Sequence, residues 1–296
     1  MTNNKKRKGG PQRTVAKRPP RRSRGGAYAA IATVVAVILA IVVFSIYRHV
    51  GAASGEVSAS AAVDQVGRVP ASVLHTVGAG SGVSLPVALP AGARANTQDG
   101  KPVVLYIGAE YCPFCAAQRW PVIVALSRFG SFANLHGMES AGGGEAYPKT
   151  QTFTFHGAIY TSPYVALQSV ETNTNQPNLT GLGYTSLDKP TAAQQAMLVR
   201  YDRSPYTTQA GAIPFLLIGN RFVSVGASFD PALLQGKTRT QIAAALSDPA
   251  SSIAQGVDGS ANAITAAICS VTNNQPSNVC TDPVVVALGA KLGASQ

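Results

Sequence analysis

Val103-Val104-Leu105-Tyr106-Ile107-Gly108-Ala109-Glu110-Tyr111-Cys112-Pro113-Phe114-Cys115-Ala116-Ala117-Gln118-Arg119-Trp120-Pro121 carries two signals back to back. Five consecutive β-branched, aliphatic and aromatic residues predict a buried strand over about 102 to 108. Val122, Ile123, Leu126 and Phe129 then recur at helical spacing, which predicts a helix over about 112 to 129. Two cysteines sit at the joint. The first amides of a helix lack intrahelical partners and carry the positive end of its dipole, so a thiolate at Cys112 is stabilised there. Pro113 suits the first helical position, where its missing N–H costs nothing. Cys115 returns to the same face one turn later, within reach of a disulfide.

The chemistry that follows is thiol-disulfide exchange, with Cys112 as nucleophile and Cys115 as resolving thiol. Two other readings compete. A Cys-x-x-Cys can be half of a zinc site, although Cys269, Cys280, His49, His75, His136 and His156 include no second close ligand pair. It can also be an inert crosslink.

Gly211-Ala212-Ile213-Pro214-Phe215-Leu216-Leu217-Ile218-Gly219-Asn220-Arg221-Phe222-Val223-Ser224-Val225-Gly226 reads as two short strands joined at the turn Gly219-Asn220. Pro214 opens the first and is a candidate for a cis bond. Together the two segments resemble the thioredoxin superfamily. Ala109-Glu110-Tyr111-Cys112 with Cys115 looks like its Ala-Glu-Trp-Cys-x-x-Cys, and Ile213-Pro214 like its cis-proline strand. The resemblance implies that Pro214 lies beside the dithiol and that the Ile213 backbone pairs with a substrate strand. Tyr111, Phe114 and Trp120 are expected to shape the surface around the dithiol. More narrowly, Gly108 to Trp120 is very similar to the signature of an uncharacterised prokaryotic family, domain of unknown function 929.

The chain departs from the thioredoxin pattern at two positions. Thioredoxins carry a buried carboxylate six residues before the first active cysteine, where this chain has Tyr106. Pro121 lies six residues beyond the second cysteine instead of five. Both bear on reductase efficiency more than on fold.

Outward from this centre, the composition is that of a chain with a core: 46% apolar and 12% charged over 296 residues. The net charge of +11 is a local property. Residues 1–26 hold ten Lys and Arg and no acid, which leaves 14 basic and 13 acidic residues for the remainder. This tail reads as disordered. Ala27 to Tyr47 follows, 21 residues without a charge, long enough to cross a hydrocarbon core of about 30 Å. The basic flank predicts a cytoplasmic N-terminus beside anionic lipids, with the bulk of the chain outside. That apolar span also makes the tail a topology signal in preference to a nucleic-acid arm. The run exceeds a signal-peptide core, so it reads as an uncleaved anchor, although Ala52-Ala53-Ser54 offers small residues just beyond it.

Residues 48–100 read as spacer and connection, with a short helix over Val69 to Val77. Thr152 to Tyr160 and Tyr164 to Glu171 have strand composition, and Thr191 to Tyr201 reads as a helix. Asp230 and Pro231 open a helix running to about Leu246. Ile253 to Val271 and Pro283 to Leu292 carry two further helical patterns in an extension over 249–296. Cys269 and Cys280, in this extension, read as a structural disulfide or as a second redox pair relaying electrons to the first.

The expected architecture is α/β: one transmembrane helix, then a thioredoxin-like domain over 101–248 with an insertion at about 130–210, then the helical extension. The expected activity is disulfide exchange with exported proteins outside the membrane, recharged by a transmembrane redox partner. The cysteines carry the electrons, so neither cofactor nor metal is required. The rival expectation is a non-catalytic envelope module whose dithiol is a permanent crosslink.

Overall fold

In the computed structural model, residues 37–42, 62–90 and 92–294 are described. Contacts divide the chain into two units, Met1–Ala53 and Ser54–Gln296. Residues 37–42 of the first are helical. The basic tail and most of the expected transmembrane segment lie outside the described residues. Among the described residues, no helix is long and apolar enough to cross a membrane.

The second unit is mixed α/β. Its elements are residues 62–66 (α1), Ala71–Val77 (α2), Val87–Ala88 (β1), Thr97–Gln98 (β2), Lys101–Gly108 (β3), Pro113–Ser127 (α3), Ser131–Ala133 (β4), His136–Glu139 (β5), Gln151–Thr154 (β6), Ile159–Thr161 (β7), Ala166–Glu171 (β8), Asn173–Pro177 (β9), Tyr184–Ser186 (β10), Ala192–Tyr201 (α4), Phe215–Ile218 (β11), Phe222–Val225 (β12), a 3₁₀ turn at Pro231–Leu234, Arg239–Ala245 (α5), Ser252–Val271 (α6), Ser277–Cys280 (α7) and Pro283–Ala294 (α8). The main sheet runs β1-β12-β11-β3, and β3 pairs in parallel with β8 on its other side. β2 pairs with the start of β3, and three small two-stranded sheets (β4/β7, β5/β6, β9/β10) lie between α3 and α4 in sequence.

β3 is the centre of the sheet, and its unbroken apolar run reflects burial on both faces. Val104 and Tyr106 point to one cluster with Ala117 and Trp120 of α3 and Ile264 and Ile268 of α6. Val103, Leu105 and Ile107 point to the other, against Tyr201, Met197 and Leu198 of α4. The β11–β12 hairpin turns through Gly219, Asn220 and Arg221: the first two have positive φ, and the Arg221 amide donates to the Ile218 carbonyl at 2.9 Å.

Several boundaries differ from the sequence reading, each for a local reason. The strand read over Thr152 to Tyr160 is two strands, β6 and β7, because Gly157 turns the chain at φ 72°. The helix read from Pro231 to Leu246 is interrupted: the 3₁₀ turn capped by Asp230 ends before Gly236 (φ 70°), and Thr238 with Gln241 forms a capping box that starts α5 afresh. Within the 48–100 stretch read as spacer and connection, Ala62 and Val66 of α1 are buried in the main core.

α6 lies in the segment read as a helical extension, and it packs along α3 and α8 with most of its residues buried. Gly259 lets the chain after α2 approach closely: a Cβ there would lie 2.7 Å from the Gly80 Cα. Asn262 donates to the carbonyls of Leu74 and Gly78, both at 2.8 Å, and accepts from Arg128 at 3.1 Å. It thereby ties the C-terminal end of α2 to α6. Cys269 at the end of α6 is joined to Cys280 by a disulfide, with Cα atoms 5.5 Å apart.

Candidate active site

The carboxyl end of β3 turns at Ala109–Tyr111 into α3. Cys112 is the N-cap of that helix and Pro113 occupies its first turn. The Cys115 amide donates to Cys112 Sγ at 3.3 Å, so the sulfur takes the role that a Ser or Asp oxygen plays at an ordinary cap. The Cys112 pKa is lowered, first by a side-chain hydrogen bond with the Cys115 thiol and then, against burial, by that amide and by Arg119. Cys115 is driven the other way: it is fully buried, which raises its pKa well above the ordinary value. The two thiols are free. The two thiols are thus unequal, Cys112 the more readily ionised and Cys115 the less.

Ile213 and Pro214 lie immediately before the neighbouring strand β11. The Cys112 thiol donates to the Ile213 carbonyl at 3.8 Å, and the Ile213–Pro214 peptide is cis. A groove of about 440 Å³ adjoins this corner, lined in part by Phe114, Thr207, Gln209, Ile213, Gly226 and Phe229. Phe114 is 38% exposed and meets Tyr147 edge to face at 5.6 Å. Trp120, expected at the surface, is fully buried; its indole N–H donates to the Gln151 carbonyl at 3.0 Å and its ring packs on Phe153. It faces the core because its position on α3 coincides with the apolar stripe that contacts β6.

Aromatic and polar contacts hold Tyr111, which packs against the two cysteines. Tyr111 stacks on Tyr184 of β10 with centroids 4.1 Å apart, and the Tyr184 hydroxyl donates to Glu145 at 2.8 Å. The Ala141 amide donates to the Tyr111 carbonyl at 2.9 Å. Cys112 is left 6% exposed.

Behind the dithiol is a group that motif reading did not assign. Arg119 and Glu171 are both fully buried and pair side by side, Nε to Oε1 at 2.9 Å and Nη2 to Oε2 at 2.7 Å. Burial raises the Glu171 pKa; Arg119 opposes that rise. Tyr106, in the position where the thioredoxin pattern has a carboxylate, is buried and held neutral, its hydroxyl directed at the Cys115 carbonyl at 3.5 Å. The signals for this pair were present in sequence: an Arg one turn past Cys115, and a Glu closing an apolar strand. Only the β3–β8 register, which sets Glu171 opposite Gly108, brings them together.

Among the described residues no group of three or more His, Cys, Asp or Glu could hold a metal. His75 meets Asp282 at 3.3 Å and His156 meets Asp188 at 2.9 Å, each at the surface.

A family model for a domain of unknown function, DUF929, matches residues 92–270. The chain belongs to the DUF929 family. No curated protein and no solved structure matches it. The DUF929 match takes in β3, the dithiol, the Arg119–Glu171 pair, the Ile213–Pro214 corner and nearly all of α6. It ends between Cys269 and Cys280.

Proposed function

We propose that this DUF929 domain has a thioredoxin-like fold and is a thiol-disulfide oxidoreductase. The observation that carries the reading is the convergence at Cys112: a helix-capping sulfur that accepts the Cys115 amide and lies against the Ile213 carbonyl, where a groove begins. In reduction, the Cys112 thiolate attacks one sulfur of a substrate disulfide and expels the other as a thiolate. The Cys115 thiolate then attacks Cys112 Sγ, releasing the second substrate thiol. Two electrons pass to the substrate and a Cys112–Cys115 disulfide remains; oxidation is the same sequence reversed. Ile213 and Pro214 receive the substrate backbone, with Tyr111 and Phe114 flanking it.

The substrates on this reading are exported proteins. The basic tail and the uncharged Ala27 to Tyr47 run support a single-span anchor with the domain outside the membrane, and a transmembrane redox partner to recharge the dithiol. A second reading, a non-catalytic envelope module, draws on the burial of both thiols.

The reduction potential of Cys112–Cys115, measured by equilibration with glutathione buffers, separates the two. An exchange enzyme is expected to lie above about −300 mV, and a lower potential supports the binding module.

A further inference from the structure

The Arg119–Glu171 pair is expensive to bury. Two charges removed from water lose their hydration, and their attraction recovers that loss only with good geometry and full hydrogen bonding. Here the hydrogen bonding is incomplete: Glu171 occupies the Nε/Nη2 side of the guanidinium, while Nη1 is buried without a partner. An apolar pair would fill the same space at lower cost, so a purely structural role explains the pair poorly.

Its location links it to the sulfurs. Arg119 is four residues after Cys115 on α3, hence on the same face and one turn away. Its Nη2 donates to the Ala109 carbonyl at 2.9 Å, and that same carbonyl accepts the Cys112 amide at 3.3 Å. The guanidinium is thus fastened to the turn that presents the nucleophile. Glu171, on β8, holds it from the opposite side.

We propose that Arg119, fixed by Glu171 and the Ala109 carbonyl, is a positioning residue whose guanidinium compensates the negative charge that the dithiol carries while mixed disulfides form and resolve. The proposal rests on the oxidoreductase reading. In the first step the charge moves from Cys112 to the departing substrate thiolate. In the second, Cys115 loses its proton to water or to that thiolate, attacks Cys112 and expels the other substrate sulfur as a thiolate. Arg119 makes and breaks no bond.

The ionisable groups around the sulfurs are Tyr106 on β3, Tyr111 in the turn, Arg119 on α3 and Glu171 on β8, with Glu110 acting on Glu171. Of the two members of the pair, Arg119 acts the more strongly on the sulfurs. At Cys115, where burial dominates, its lowering effect outranks the raising effect of Glu171, and at Cys112 it is the charged residue that lowers the pKa.

The test uses the reduced full-length chain and reads the pH dependence of Cys112 alkylation by iodoacetamide, located by mass spectrometry, alongside turnover of a disulfide substrate. In Arg119→Met/Glu171→Met, which keeps the volume filled, the midpoint should rise by about one pH unit. In Glu171→Gln, which keeps Arg119 but removes the opposing charge, it should fall. Arg119→Lys should stay close to the wild type. A structural staple predicts no such opposition of signs, so a midpoint unmoved in the folded Met/Met variant overturns the proposal. If that variant does not fold, an unmoved or raised midpoint in Glu171→Gln does so. Should the wild type alkylate with the expected profile yet never turn over substrate, the oxidoreductase reading fails and this proposal falls with it. Turnover with unmoved midpoints sinks the positioning role alone.

Discussion

All four cysteines of the chain are buried, yet the two pairs sit in different surroundings. Cys269 and Cys280 close the end of α6 onto α7 as a disulfide within the main apolar cluster. Cys112 and Cys115 are free thiols at a helix start, in contact with an amide, a carbonyl and the field of a buried guanidinium. Burial therefore does not distinguish the free thiols from the disulfide. What distinguishes them is polar contact: a buried sulfur can hold a negative charge only where donors or positive charge offset the loss of water.

The strongest way to break this contrast is to remove one member of the first pair. Cys115→Ser is expected to abolish turnover and to trap substrates on Cys112 as mixed disulfides, because the resolving thiol is gone. The trapped species should be exported proteins in high-mass bands that collapse on reduction, seen by non-reducing electrophoresis. If nothing is trapped under conditions in which the wild type cycles, Cys112 is not the nucleophile of an exchange enzyme.

Removing the second pair should affect stability instead of chemistry. Cys269→Ser with Cys280→Ser is expected to cost on the order of 3 kcal/mol in the loop-entropy model, read by denaturant unfolding, with turnover per folded molecule nearly unchanged. A double variant that stays stable but loses turnover would convert the staple into an electron relay and erase the contrast.

The smallest expected effect concerns a titrating group on the helix that carries Cys269. Asp258 is fully buried on α6, and neither carboxylate oxygen has a hydrogen-bond partner among the described residues. Burial pushes its pKa up to about 8, against about 3.9 for an unfolded Asp. Its folded pKa is the higher, so its contribution to stability is fully present below about pH 4 and is lost as pH rises through about 8. Melting temperature followed from pH 4 to pH 9 should fall less steeply in Asp258→Asn than in the wild type. Parallel declines would show that ionisation of Asp258 does not drive the alkaline loss.

The dithiol at the start of a helix, the strand before it and the hairpin turning at Gly219-Asn220 were all legible in sequence, because each is a short-range arrangement. Spacing of two cysteines, periodicity over one turn and the φ preferences of Gly and Asn need no distant partner. Trp120 was misread for the complementary reason: an aromatic near a motif is as compatible with a core as with a surface, and only the contact of α3 with β6 decides. The split of the 152–160 strand and the break at Gly236 depended on positive φ at single glycines, which composition signals weakly.

By itself, then, the sequence determined the chemistry available at Cys112 and Cys115 and the elements that present it. Tertiary structure decided what surrounds that chemistry. The approach of Ile213 and Pro214, the stack of Tyr184 on Tyr111, the Arg119–Glu171 pair and the central packing of α6 all join residues tens to more than a hundred positions apart. Local periodicity carries no information about strand register or helix docking, and a charged residue in a sequence reads as solvated until a fold supplies its partner. Glu171 shows the difference: nothing in its own stretch points to Arg119, and it arrives beside α3 from another strand through the pairing of β8 with β3.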